Sequence, residues 1–178
     1  LRDCIVAPPG HKLIAVDLSA IEYRTNNWIA GQKDVIETLR YTDANKSNED
    51  AYTKFASVVY NRTITKDDFI ERQVGKTSEL QLGFLSGAAK LKKALKVQAQ
   101  IEFDLPFCKN IVDIYRTKNH MIKEHWGKCK EAFMHAIDGQ ATTIGVPIKR
   151  AVLPADSFDP MIRIVLPNGV CLRYPGLK

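Results

Sequence analysis

Arg72, Lys76, Leu80 and Phe84 recur at intervals of four residues. Side chains at that interval form one slowly drifting stripe on a helix. At 1.5 Å per residue the stripe is roughly 18 Å long. It reads cation, cation, apolar, aromatic, the order of a nucleoside triphosphate laid along the helix. Arg72 offers a fixed fork of donors and Lys76 a mobile point charge, both suited to phosphate oxygens. Leu80 and Phe84 would face the sugar and base. A purely structural reading also fits: an amphipathic helix whose cations snorkel at one end. Spacing alone leaves both readings open.

A second chemical feature precedes the stripe. The residues at 13–16 (Leu-Ile-Ala-Val) read as a short buried strand, and Asp17 follows directly. A carboxylate at a strand end points into the crevice above the sheet and is a good oxygen ligand for Mg²⁺, with the Leu18 carbonyl as a second oxygen. Strand-end aspartates also serve as turn residues. Glu22 follows on the first turn of a helix expected from residue 20 to about 30, capped by Ser19 and stopped by Gly31. Glu22 either completes that capping box or faces the same crevice as Asp17. The string Gly75-Lys-Thr77 is not a phosphate-binding loop, because Ile70 stands where such a loop needs its first glycine.

The elements that would position these groups follow from the rest of the chain. A short helix is expected over 34–40 and an irregular loop over 42–48. A helix beginning at Asn48 or Asp50 carries Tyr52, Phe55, Ala56, Val59 and Tyr60 at helical spacing. The string at 65–68 is a second capping box, opening a helix from 67 to about 84. A basic amphipathic helix covers 88–100, one helix covers 105–126, and a successor covers 128–137. The tail then alternates in the manner of strands at 161–166 and 170–174. Pro167-Asn-Gly169 between them signals a hairpin. The fold class expected is α+β: a mostly helical block mounted on part of a sheet.

Bulk properties restrict the function without choosing it. The chain has 178 residues, 45% of them hydrophobic and 26% charged, which is ordinary globular material. Its apolar runs are too short to span a bilayer, and no signal peptide is visible. A chain opening on Leu1 rather than Met is expected to be a piece of a longer protein. Cys4, Cys108, Cys129 and Cys171 have no zinc-ligand spacing and read as reduced thiols of a cytoplasmic protein. Net charge is +6. Residues 62–96 hold eight basic and four acidic side chains, so this stretch carries +4 of it. That excess permits nucleic-acid binding, or simply a solvated face.

Two segments together resemble the family A DNA polymerases, the DNA polymerase I family, and more closely its phage members. Ala15-Val-Asp17-Leu-Ser-Ala-Ile-Glu22-Tyr-Arg24 resembles motif A, an Asp-x-Ser-x-Ile-Glu-x-Arg string. Arg72-Gln-Val-Gly-Lys76-Thr-Ser-Glu-Leu80-Gln-Leu-Gly-Phe84 resembles motif B. The lead-in at 1–10, the stretch from Tyr115 to Trp126 and the hairpin at 164–169 are also similar, so the resemblance covers nearly the whole chain.

The resemblance implies a palm segment with motif A at 1–31, helical fingers with motif B at 32–155, and a hairpin returning to the palm at 156–178. It implies template-directed DNA synthesis, the transfer of a dNTP to a primer 3′-hydroxyl. Asp17, with the Leu18 carbonyl, would hold magnesium, two ions ~4 Å apart in a complete enzyme. Glu22 would exclude a ribose 2′-hydroxyl. Arg72 and Lys76 would bind the triphosphate, with Lys76 also acting on the leaving group. Leu80, Phe84 and Tyr52 would complete the dNTP site. The implied partners are primer-template DNA and dNTP, in a bacterial or phage-infected cell and without a membrane.

This sequence departs from the family pattern in several places. Phe84 stands where many members have Tyr, Leu80 where an aromatic is frequent, and Tyr52 where some have a phosphate-contacting His. Motif C, a His-Asp-Glu string with the second metal-binding aspartate, does not occur in these residues. Asp156 and Asp159, in a proline-flanked loop, are poor substitutes. The expectation is therefore a fragment inactive by itself, either excised from a complete polymerase or a split subunit whose motif C comes from a second chain. The competing expectations are a non-catalytic helical module that binds nucleic acid, and a decayed prophage remnant. A single-subunit RNA polymerase is disfavoured by Glu22.

Overall fold

A computed structural model describes residues 4–45, 48–144, 147–151, 161–166 and 168–174. Within them the chain is α+β with a helical majority. Seven helices run α1 (Ile21–Ala30), α2 (Lys33–Asn45), α3 (Ala51–Tyr60), α4 (Phe69–Leu82), α5 (Ala88–Gln98), α6 (Leu105–Lys118) and α7 (His120–Ile137). Four short strands follow: β1 (Thr142–Thr143), β2 (Pro147–Ala151), β3 (Met161–Val165) and β4 (Cys171–Tyr174). They form one antiparallel sheet in sequence order. Among the described residues no helix is long and apolar enough to cross a membrane.

The main core lies between α3, α4, α5 and α6. Phe55, Val74, Leu82, Leu91, Leu95 and Ile111 are almost completely removed from solvent there. Tyr115 joins that core, with Phe55 edge-on at 6.0 Å and Trp126 stacked on its other side at 6.5 Å. A smaller cluster of Tyr23, Val35 and Leu39 joins α1 to α2. The sheet rests on α7, where Phe133 meets Tyr174 edge-on at 5.4 Å.

Several local signals act as expected. Asp50 caps α3: its side chain accepts from the backbone N–H groups of Tyr52 and Thr53, while the Thr53 hydroxyl accepts from the Asp50 N–H. Gly31 ends α1 in the left-handed region at φ 75°. The hairpin pairs Ile162 with Tyr174, Ile164 with Leu172 and Val165 with Cys171, and Gly169 has φ 80°.

Other expectations are corrected. Residues 13–16 do not form a strand; they run as exposed irregular chain, Ile14 82% and Val16 86% accessible. A strand needs a neighbour to satisfy its backbone groups, and the described sheet lies on α7 instead. Ser19 does not cap α1. Ala20 is the cap residue, left-handed at φ 51°, with no side-chain capping bond. The loop expected from 42 is helical as far as Asn45, because α2 is longer than its polar end suggested. At 65–68 half of the expected capping box forms, the Asp68 carboxylate accepting from the Thr65 N–H, but α4 begins only at Phe69 and no side chain caps it. The helix expected over 105–126 breaks at Asn119, and Gly127 lies inside α7. β1 and β2 had not been anticipated. Asp156, Asp159 and Pro167 lie outside the described residues.

The break at Asn119 has a visible partner. The buried Gln32 side chain accepts from the Met121 N–H at 3.0 Å, satisfying an amide in the first turn of α7. Its amide group donates to Asp34 at 2.7 Å and to the Lys118 carbonyl at 3.3 Å. The α1–α2 corner and the α6–α7 corner are thereby tied together.

Gly75 brings α4 against α3. A Cβ there would sit 2.3 Å from the Tyr52 carbonyl oxygen and 3.0 Å from the Ala56 Cβ. This glycine serves helix packing, in agreement with the rejection of a phosphate-binding loop. Gly75→Ala should therefore destabilise the protein by roughly 1–3 kcal/mol through overpacking, although alanine is the better helix former. Chemical denaturation checks this; an unchanged or raised midpoint would refute the tight contact.

Candidate functional site

The geometry around α4 follows from helical rotation. Each step of four residues advances about 40° around a helix of 3.6 residues per turn. Three such steps carry the stripe about a third of the way round. Arg72 therefore faces α3, whereas Leu80 and Phe84 face α1. Phe84 sits just past the helix, in the turn after Leu82.

At the first end, Arg72 donates through Nε and Nη2 to one oxygen of Asp50, at 2.9 and 2.6 Å. Its guanidinium lies 5.8 Å from the centre of the Tyr52 ring. Asp50 thus has two tasks, capping α3 with one oxygen and holding Arg72 with the other. Tyr52 is buried, and that burial raises its hydroxyl pKa, assisted by the nearby Asp50. Arg72, Tyr52 and Asp50 line a cavity of about 420 Å³ together with Ser19, Ala20 and Arg24. Across it, Arg24 forms a two-bond fork with Asp43 at 2.7 and 2.8 Å and donates from Nε to the Ser19 carbonyl at 2.9 Å. The chain on either side of Ala20 is held by this fork rather than by a Ser19 cap.

At the other end, α1 and α4 enclose a mainly apolar cavity of about 470 Å³. Glu22, Leu80 and Phe84 all line it, with Ile21, Tyr23 and Glu79. The structure thus brings together three of the residues expected to contact a nucleotide's sugar and base. Lys76 lies between the two ends, half-buried, with no ion pair among the described residues. Asp17 and Leu18 are exposed and line neither cavity.

For magnesium, the described residues contain no group of three or more His, Cys, Asp or Glu side chains placed to share a metal ion. Asp17 stands in irregular chain. The described residues do not make a two-metal site, and no chemical step is derived through one.

The basic stretch at 62–96 is partly neutralised within the fold. Arg62 pairs with Asp68 and Glu71, Arg72 with Asp50, and Lys96 with Glu102.

Sequence reasoning missed Glu79. It is on the same face of α4 as Gly75, one turn on, so it is carried inside the protein, where neither carboxylate oxygen has a hydrogen-bond partner. The Lys118 ammonium stands 3.7 Å away and also 5.3 Å from the centre of the Phe55 ring. Burial pushes the Glu79 carboxyl up to about 7, against the opposing pull of Lys118. The buried hydroxyls of Tyr23 and Tyr115 are raised as well, first by burial and then by Glu79. A charged residue in a helical segment normally reads as solvent-facing; its position four residues after a packing glycine was the available signal.

A DNA polymerase of Bacillus phage SP02 is similar to this chain: 29% identical over 138 residues, which is 77% of the chain and 20% of that polymerase. The chain spans about a fifth of that relative's length. The similarity is distant. No protein-family model and no solved structure matches.

Glu79 makes stability depend on pH. In the unfolded chain its carboxyl ionises near 4.5; in the folded protein it ionises near 7. Between those values the folded state keeps a proton that the unfolded state has lost. Stability therefore falls as pH rises through that window and stays reduced above it, by about 3 kcal/mol. Glu79→Gln should melt well above the parent at pH 8 and close to it at pH 4.5. Thermal unfolding from pH 4.5 to 8 measures this, and a variant less stable than the parent at pH 8 would contradict the account.

Proposed function

We propose that this chain is the part of a DNA polymerase that receives the incoming deoxynucleoside triphosphate and contacts the primer-template. The observation that carries the reading is the α1–α4 cavity, walled jointly by Glu22, Leu80 and Phe84. These residues come from two distant segments, and both segments carry the motif resemblance. The phage polymerase similarity adds distant support for DNA synthesis.

In this reading the sugar and base enter the apolar cavity, and Glu22 stands against a ribose 2′-hydroxyl. The triphosphate runs back along α4 towards Lys76 and Arg72. Arg72 is already engaged by Asp50, so phosphate oxygens compete with that carboxylate for one side of the guanidinium fork. Tyr52 packs beneath the fork and holds its plane. Lys76 makes no internal ion pair among the described residues and is free to turn to the phosphates. Asp17 and the Leu18 carbonyl supply magnesium ligands only when a second carboxylate is brought beside them. The exposed apolar side chains between Ile5 and Leu18 are, in the same reading, covered by the rest of a polymerase, in a second chain or elsewhere in a longer one.

The alternative of a non-catalytic nucleic-acid-binding module predicts a different ligand profile. Equilibrium binding of Mg²⁺-dNTP to the chain should be weakened roughly 10- to 100-fold by Arg72→Ala, as expected for loss of charge-assisted hydrogen bonds of about 1.5–3 kcal/mol. Lys76→Ala is the cleaner probe, because no internal ion pair breaks with it, and the same direction is expected. The purified chain should not extend a primer. Unchanged dNTP affinity in both variants, with DNA binding weakened equally across sequences, would favour the module.

A further inference from the structure

α6 and α7 open between them a groove of about 820 Å³, lined by none of the residues that line the two cavities described above. Its charge is one-sided. Arg116 comes from α6 and Lys123 and Lys130 from α7, with His120 at the corner, against a single carboxylate, Asp113. Among the described residues none of the three cations has an ion-pair partner. The nearby Glu124 is instead taken by Lys128 at 2.8 Å. This contrasts with the 62–96 stretch, where several cations are paired.

Two further residues define what the groove accepts. Trp126 lines it, half-exposed, with its ring stacked on Tyr115 and so fixed in place. Gly127 lines it beside Trp126. A Cβ on Gly127 would meet nothing within 4 Å, so packing does not require glycine there, although glycine weakens a helix interior. It leaves no side chain at the position between Lys123 and Lys130 on that face of α7. Those two lysines lie seven residues apart on one face of α7, about 10 Å.

We propose that the α6–α7 groove binds the sugar-phosphate backbone of unpaired nucleic acid. Lys123, Lys130 and Arg116 meet the phosphates, Gly127 allows close approach of the backbone, and Trp126 offers an aromatic surface to a base. Cations combined with a fixed aromatic platform are what single strands require, since their bases are free to stack. Leu85, the residue after Phe84, is among the residues that line the groove, while Phe84 lines the α1–α4 cavity. A strand in it therefore runs next to the proposed nucleotide cavity; its identity as a template strand rests on the polymerase reading, whereas the groove rests on its own residues.

The test is fluorescence anisotropy of a labelled oligothymidine with the full chain at several salt concentrations. Lys123→Gln with Lys130→Gln should weaken binding at least tenfold and reduce the slope of log affinity against log salt by about 1.4, two contacts at ~0.7 each. The charge-matched control Lys90→Gln with Lys93→Gln on α5 should change both far less. Gly127→Ala should raise the melting temperature yet weaken binding, a combination that a purely structural role would not give. In a Trp28→Phe background, emission from Trp126, the remaining tryptophan, should be quenched by the oligonucleotide. Absent binding, an unchanged affinity and salt slope in the α7 variant, a larger effect from the α5 control, or tighter binding of duplex than of single strand would each overturn the proposal. Loss of dNTP binding with the groove behaving as stated would overturn the nucleotide reading alone.

Discussion

The missing side chain at Gly75 sets the position of α4. With no Cβ in the way, α4 lies directly on the Tyr52 carbonyl of α3, and its rotation about its own axis is fixed. Every other feature of the helix follows from that rotation. Arg72, one turn before Gly75, meets Asp50 and the Tyr52 ring. Glu79, one turn after it, goes inside. Leu80 and Phe84, rotated further, reach α1 and wall a cavity with Glu22. Any larger residue at 75 would push α4 outward and disturb these contacts together.

The same rotation explains why a stripe that looks continuous in sequence is divided in space. Four-residue spacing drifts about 40° at each step, so a ligand spanning Arg72 to Phe84 must curve around α4 rather than lie straight along it. The cation end is preorganised by Asp50, which also caps α3 and so couples the Arg72 position to the start of that helix. The apolar end is shaped by α1, whose own start is held by the Arg24–Asp43 fork. Lys76, between them, has the greatest freedom to move.

Much of the helical framework could be read from the residues. Asp50 with Thr53, Gly31, the apolar faces of α3 and α5, and the asparagine-glycine turn of the hairpin are local signals, and local physics decides them. The failures occur where distant contacts decide. The residues at 13–16 have strand composition, but a strand also needs a paired neighbour, which composition cannot supply. The break at Asn119 depends on the Gln32 side chain, more than eighty residues earlier, satisfying the Met121 amide. Helical periodicity runs straight through that point and gives no warning of it. For the candidate site, Glu22 was expected beside Asp17, and Leu80 and Phe84 in one stripe with Arg72 and Lys76; Glu22, Leu80 and Phe84 line one cavity that Asp17 and Arg72 do not, whereas the burial of Glu79 depended on which face of α4 met α3.

The turn after α4 joins the α1–α4 cavity to the α6–α7 groove. Phe84 walls the α1–α4 cavity, while Leu85 lines the α6–α7 groove. Consecutive side chains face different surfaces because Leu85 adopts φ 59°. That left-handed conformation costs a residue with a Cβ roughly 1–2 kcal/mol. Gln81 steadies the turn by donating to the Ser86 hydroxyl at 2.7 Å, and the Gly83 N–H bonds back to the Glu79 carbonyl at 3.1 Å. Glu79 therefore acts at both levels: its backbone anchors the turn and its side chain is the buried charge beside Lys118. A displacement of α4 that brought Glu79 towards water would relieve its desolvation, and it would also shift the turn bordering both surfaces.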